Sequence, residues 1–198
     1  MTPAGLVLAA GAGTRYGGPK ALVELDGVPL ARRAARLLAD GGCDPVLVVV
    51  GAQAERVRAA LPGLQTVEAT GWAEGMGASL RTGLAALAGA PACVVALADQ
   101  PLVGAAAVTR LVAAWRDGAE AAVATYAGAP RNPVVLDAAV WDDVAALAVG
   151  DAGARPWLRA HPERVVAVPC DDTGSPFDVD TPDDLARAAP SAVRSAPA

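Results

Sequence analysis

Between Leu6 and Lys20 an apolar run, Leu6-Val7-Leu8-Ala9-Ala10, gives way to Gly11-Ala12-Gly13-Thr14-Arg15-Tyr16-Gly17-Gly18-Pro19-Lys20. These residue types suit the holding of a polyphosphate. Glycine lets the backbone approach a ligand with no Cβ in the way, successive N–H groups can face an anion, and Arg15 and Lys20 add two fixed positive charges. Two familiar phosphate loops do not fit. In a G-x-G-x-x-G fingerprint starting at Gly11, Tyr16 stands at the third glycine, and Val50-Gly51 stand where an acid would hold a ribose hydroxyl. Gly13 and Gly18 have the spacing of a Walker loop, but Pro19 separates Gly18 from Lys20 and Ala21 replaces the metal-binding hydroxyl residue. A nicotinamide dehydrogenase and a P-loop ATPase are both disfavoured. The plain alternative is an ordinary glycine-rich turn with two solvated cations.

Carboxylates supply the second chemistry. The apolar run Cys93 to Ala98 ends in Asp99-Gln100-Pro101, which puts an acid at the carboxyl edge of a sheet, where open α/β folds bind ligands. Asp99 there suits either a metal or the N-cap of the following helix. Near the C-terminus, Phe177-Asp178-Val179-Asp180-Thr181-Pro182-Asp183-Asp184 places Asp178 and Asp180 on one face of an extended segment. Thr181 then reads as an N-cap with Pro182 at the first helical position, and Asp183 and Asp184 favour the positive end of that helix. Two carboxylates joined by phosphate oxygens and water suit Mg²⁺, a hard cation seldom caged by protein alone.

Apolar, β-branched runs that would position these groups recur at Ala4 to Ala9, Pro45 to Val50, Cys93 to Ala98, Ala119 to Thr125 and Val165 to Val168. Helical patterns at Leu30 to Ala39, Gln53 to Ala60, Ala78 to Ala88, Ala105 to Trp115, Ala138 to Ala148 and Pro182 to Ala188 alternate with them. This βα alternation predicts an α/β fold, a three-layer, Rossmann-like, doubly wound and mostly parallel sheet. Pro133 to Leu136 reads as an additional strand of unassigned direction. No linker divides residues 1–189, which read as one domain, and Pro190 to Ala198 read as a disordered tail.

Composition narrows the function classes. With 54% hydrophobic but only 4% aromatic residues, the core is built of Ala, Val and Leu. A net charge of −5 argues against a general nucleic-acid binder. No apolar run approaches the ~20 residues needed to span a bilayer, so the expected address is the cytoplasm. Cys43, Cys93 and Cys170 form no C-x-x-C pair and read as reduced, apolar fillers. His161, the single histidine, precedes Pro162 in a turn and gives a nucleophilic triad little to rest on.

The pattern L-A-A-G-x-G-T-R-x-G-G-P-K, with Asp99-Gln100-Pro101, Trp72-Ala73-Glu74-Gly75-Met76-Gly77-Ala78-Ser79-Leu80 and Gly150-Asp151-Ala152-Gly153-Ala154-Arg155, resembles the MobA-like NTP transferase family over nearly the whole chain. Within that family it is most similar to the molybdenum cofactor cytidylyltransferases and implies the nucleotide-diphospho-sugar transferase type of fold. The resemblance implies that Leu8, Ala9, Ala10, Gly11, Gly13 and Thr14 wrap a nucleoside triphosphate, that Arg15 and Lys20 grip its phosphates, and that Gly75 and Ser79 lie against the nucleotide. It implies a Mg²⁺ site built by Asp99 and Asp180, with Asp178 as the second choice, and an acceptor pocket near Asn132 and Asp151. Ser79 and Asp151 read equally well as supports of helical first turns. Relatives often carry Asn shortly before the Trp and His where Asn132 stands; here the residues before Trp72 are Ala69-Thr70-Gly71.

The resemblance therefore implies transfer of a nucleoside monophosphate to a phosphorylated small-molecule acceptor such as molybdopterin, with a molybdoenzyme as partner. Ala9-Ala10-Gly11 favours CTP over GTP, since guanylyl relatives usually show Ala-Gly-Gly. The alternatives are a guanylyl or sugar-1-phosphate nucleotidyltransferase, and a non-catalytic nucleotide- or cofactor-binding chaperone.

Overall fold

A computed structural model of the chain describes residues 1–189; the tail expected at 190–198 lies outside them. The strands are β1 (Ala4–Leu8), β2 (Glu24–Leu25), β3 (Val28–Pro29), β4 (Val46–Val50), β5 (Gln65–Glu68), β6 (Ala92–Leu97), β7 (Ala121–Tyr126), β8 (Ala129–Asp137) and β9 (Val165–Pro169). The helices are α1 (Leu30–Asp40), α2 (Ala54–Ala59), α3 (Met76–Ala86), α4 (Ala105–Arg116), α5 (Trp141–Leu147), α6 (Arg155–Ala160) and α7 (Pro182–Ala188). Seven strands form one sheet in the order β5-β4-β1-β6-β8-β7-β9. β8 is antiparallel to both of its neighbours, and every other pairing in that sheet is parallel.

Alternation along the buried strands separates two cores. Val7, Val48, Val50, Val94 and Ala96 face a layer containing buried residues of α1, α2 and α4. Leu6, Leu8, Val49, Cys93 and Val95 face the opposite layer, with Leu80 and Leu84 of α3, Val144 of α5 and Trp157 of α6. Continuous apolar runs such as Val46–Val50 are what a strand buried on both faces requires. All three cysteines are free and buried, as apolar fillers should be, and burial pushes the Cys43 thiol up to about 12.

The direction of β8, left open by the sequence, comes from the turn before it. Ala127 and Gly128 both adopt positive φ, 50° and 74°, the conformation of a two-residue hairpin that returns the chain beside β7. Helical pattern 138–148 divides into a one-turn 3-10 helix, Ala138–Val140, and α5. β5 escapes a reading based on apolar runs because both of its ends are exposed and polar, Gln65 and Glu68. The β2–β3 hairpin escapes it because each arm has only two residues.

A third, smaller core joins distant parts of the chain. Leu25, Leu30, Val179 and Ala188 are buried together, with Tyr16, Phe177 and Leu185 packed against them. This cluster sets the segment before α7 beside the glycine loop. The Val179 N–H donates to the Asp99 carbonyl at 2.8 Å, tying that segment to the end of β6. α7 starts as the sequence indicates: Thr181 Oγ1 accepts from the Asp184 N–H at 3.2 Å while the Asp184 carboxylate accepts from the Thr181 N–H at 2.9 Å. Replacing Thr181 with Ala should cost about 1 kcal/mol in urea unfolding, and an unchanged midpoint would show that the cap contributes nothing.

Candidate active site

The glycine loop leaves the carboxyl end of β1 and folds back on itself. The Gly13 carbonyl accepts from the N–H groups of Tyr16, Gly17 and Gly18 at 2.9, 3.0 and 3.2 Å. Gly13 has φ +60°, and a Cβ there would lie 2.0 Å from the Gly18 carbonyl oxygen, so the turn closes only around glycine. Gly11 differs: a Cβ would meet nothing within 4 Å and would project into open space at the cleft. Pro19 ends the loop, and Lys20 begins a 3-10 turn, Lys20–Leu22, whose middle residue Ala21 is buried.

That turn aims Lys20 at two acids far away in sequence. Its ammonium hydrogen-bonds the carboxylate of Asp99, 79 residues distant, and donates to Asp180 Oδ1 at 2.8 Å, 160 residues distant. Arg15 adds a second cation to Asp180 at 3.1 Å, while its own side chain stays 76% exposed. Burial lowers the Lys20 pKa, but Asp99 and Asp180 together outweigh it and hold the group above its ordinary value. The hydrogen bond from Lys20 holds Asp180 below the usual carboxylate range.

Asp178 and Asp180 take different hydrogen-bond partners. Buried Val179 stands between them, and Asp178 accepts from Gln100 Nε2 at 2.9 Å instead of reaching the cleft. Burial raises its pKa. Gln100 is itself buried, so the Asp-Gln-Pro motif serves two purposes: Asp99 faces the cleft and Gln100 anchors Asp178. The capping alternative for Asp99 does not hold, because the N-cap of α4 is Gly104.

The facing wall is the turn Trp72–Glu74 and the start of α3. Gly75, at φ +111°, sits so close to the Gly150–Arg155 motif that a Cβ would lie 2.5 Å from the Gly150 carbonyl carbon and 2.7 Å from Asp151 Oδ1. The two motifs therefore meet, and Asp151 faces the cleft. It does not cap α6, whose N-cap is Ala154.

The cleft encloses about 490 Å³. Leu8, Ala9, Ala10, Gly11, Gly13, Thr14, Arg15, Lys20, Gly75, Ser79, Asp99, Asp151 and Asp180 all line it; Asn132 and Asp178 do not. Asn132 lies on β8 within the register shift, between Arg131, opposite Ala124, and Val134, opposite Val123. Ala12, Tyr16, Ala21, Trp72, Ala73, Met76, Leu97 and Ala98 complete the lining. Trp72 and Met76 were visible as members of the W-x-x-G-M segment, and Leu97 as the last residue of a strand that ends at an acid.

The donor set fits a hard divalent cation. Asp99 and Asp180 already converge on one positive charge through oxygen atoms, and among the described residues no group of three His, Cys, Asp or Glu competes as a metal site. Two protein carboxylates leave the remaining coordination to substrate oxygens and water.

The sequence family described as the MobA-like NTP transferase domain matches residues 5–171. The chain belongs to that family. Among curated relatives, nicotine blue oxidoreductase of Paenarthrobacter nicotinovorans is 40% identical over 192 residues, covering 92% of this chain and 94% of that protein. Molybdenum cofactor guanylyltransferase of Rhodobacter capsulatus is 36% identical over 201 residues, covering 95% of each. Among solved structures, Rv0371c of Mycobacterium tuberculosis superimposes with a TM-score of 0.78 at 31% identity, covering 95% of this chain and 97% of that one. A complex of the same protein with manganese superimposes with a TM-score of 0.72, covering 94% and 97%. As a MobA-like NTP transferase, the chain has the mostly parallel sheet expected of the nucleotide-diphospho-sugar transferase fold. Among the described residues no helix is long and apolar enough to cross a membrane.

The two loop glycines should separate in experiment. Gly13→Ala should lower stability by at least about 1 to 2 kcal/mol, from left-handed strain and the blocked carbonyl. Gly11→Ala should leave the melting midpoint in place and weaken NTP binding. Thermal melts and a nucleotide titration on both variants check this, and matching losses of stability would contradict it.

Proposed function

We propose that the protein transfers a nucleoside monophosphate, CMP from CTP, to a phosphorylated small-molecule acceptor such as molybdopterin, releasing pyrophosphate with the help of Mg²⁺. The observation that supports this most is the convergence of the loop cations Arg15 and Lys20 with Asp99 and Asp180 in one cleft. An acceptor phosphate oxygen attacks the α-phosphorus, the bond from that phosphorus to the β-phosphate bridging oxygen breaks, and pyrophosphate departs. No protein nucleophile is needed, because the acceptor phosphate is already ionised at neutral pH. Lys20 and Arg15 would offset negative charge on the phosphates, and the loop N–H groups would fix the triphosphate. Asp99 and Asp180 would hold the metal ion, which when bound supplies Lewis-acid neutralisation of the phosphate oxygens. Asp151, on the far wall beside Gly75, would face the acceptor. Asp178, held by Gln100, and Asn132 are both off the cleft and have no supporting geometry for metal or acceptor contact.

The choice of CTP rests on Ala10. It is buried and lines the cleft in the same apolar cluster as Trp72, so its methyl group narrows the wall that would meet a base. The name of the Rhodobacter relative favours the guanylyl alternative. Pyrophosphate release across the four NTPs with candidate acceptors decides between them. CTP should give the highest kcat/KM, and Ala10→Gly should shift the CTP-to-GTP ratio toward GTP by about tenfold, within the ~1 to 3 kcal/mol that small steric changes discriminate. A GTP preference in the unmodified protein would overturn the base assignment. Asp99→Asn should cut turnover on the order of a hundredfold or more, with the circular dichroism spectrum retained; undiminished turnover would remove the metal role.

A redox reading of the same cleft is favoured by the 40% identity to the Paenarthrobacter protein. Tyr16 and Gly51 stand against it, since they replace the third glycine and the ribose-binding acid of a dinucleotide site. Saturable binding of NADH or NADPH, with no pyrophosphate released from any NTP, would establish that reading instead.

A further inference from the structure

We infer that Lys20 acts as a resident cation between Asp99 and Asp180, and that a triphosphate must draw it away before a divalent ion takes that position, so nucleotide and metal load together. This rests on the reading of Asp99 and Asp180 as metal ligands and adds a binding order to it.

The argument begins with charge. Arg15 and Lys20 contribute two positive charges and Asp99 and Asp180 two negative ones, already paired: Lys20 to both acids, Arg15 to Asp180. Both acids lie within hydrogen-bond reach of one nitrogen, so their oxygens are no farther apart than two hydrogen-bond lengths, close enough to share a metal ion. A metal arriving alone meets an ammonium on the oxygens it needs and is repelled by it at short range. A triphosphate arriving alone meets cations whose charge is already balanced. A nucleotide with its metal offers both halves of the exchange: the phosphates accept Lys20 and Arg15, and the freed carboxylates accept the metal.

The backbone permits that exchange with little movement. Lys20 is anchored at the start of a 3-10 turn directly after the loop that faces the cleft. Its side chain is 21% exposed, leaving its flexible four-carbon stem an open path to swing from the acids toward the loop. Asp178 does not supply a substitute partner, being held by Gln100. Because coupling between two ligands is reciprocal, Lys20 makes each of them raise the affinity for the other.

The test is Mn²⁺ binding, followed by electron paramagnetic resonance and calorimetry, with and without a non-hydrolysable α,β-methylene NTP. Unmodified protein should bind Mn²⁺ weakly alone and on the order of tenfold or more tighter with the analogue. Lys20→Met and the polar variant Lys20→Gln, checked for retained fold by circular dichroism, should bind Mn²⁺ alone on the order of tenfold or more tighter than the unmodified protein. They should also lose most of the enhancement by nucleotide. If Mn²⁺ binds with the analogue and is lost in Asp99→Asn, yet the Lys20 variants bind it alone no tighter, the metal reading stands and the resident-cation role falls. If no variant binds Mn²⁺ in any state, the metal reading falls and takes this inference with it.

Discussion

The shared hydrogen bonding of one ammonium by two carboxylates is the constraint on which the rest of the site depends. Lys20, Asp99 and Asp180 come from the first βα loop, the end of a central strand and the segment before the last helix. Each group is only partly buried, so none bears the full cost of burying an isolated charge. The pairing holds the ends of the chain against the middle of the sheet and concentrates charge of both signs at the carboxyl edge. A site of that kind suits a ligand that is itself a pair of opposite charges.

Packing makes the pairing possible. β1 and β6 are neighbours in the sheet, so the glycine loop and Asp99 leave adjacent strand ends. The third contributor, the segment that carries Asp180, has no strand of its own to place it. It is set by Val179, buried in the small cluster with Leu25 and Leu30 and hydrogen-bonded to the Asp99 carbonyl. On either side of that fixed residue, Asp178 meets Gln100 and Asp180 meets Lys20. The opposite wall has its own requirement: Gly75 and Asp151 can share a boundary only because Gly75 has no side chain.

Membership of the MobA-like NTP transferase family and the geometry agree on a cleft fit for triphosphate chemistry. The relatives named molybdenum cofactor guanylyltransferase and nicotine blue oxidoreductase match this chain over nearly their whole length. In this chain Ala10, Trp72, Met76 and Asp151 are among the side chains that line the cleft. Ala10, Trp72 and Met76 belong to or pack against one of the two cores, so the cleft wall and the core share these positions.

Much of the architecture was readable from local pattern. Apolar runs marked five of the seven sheet strands, four of them (β1, β4, β6 and β7) because burial on both faces demands such runs, Thr181-Pro182 marked the start of the last helix, and the glycine spacing marked the loop whose closure needs Gly13. These features depend on residues within a few positions of one another, so the order of amino acids is enough to specify them. What lay beyond the sequence was which distant groups meet. Only the folded chain turned β8 against its neighbours, kept Asn132 away from the cleft, assigned Asp178 to Gln100 and delivered Asp180 to Lys20. Spacing on one extended segment gave the two aspartates the same face; their roles were separated by the partners that the fold brings to each, Gln100 from 78 positions away to Asp178 and Lys20 from 160 positions away to Asp180.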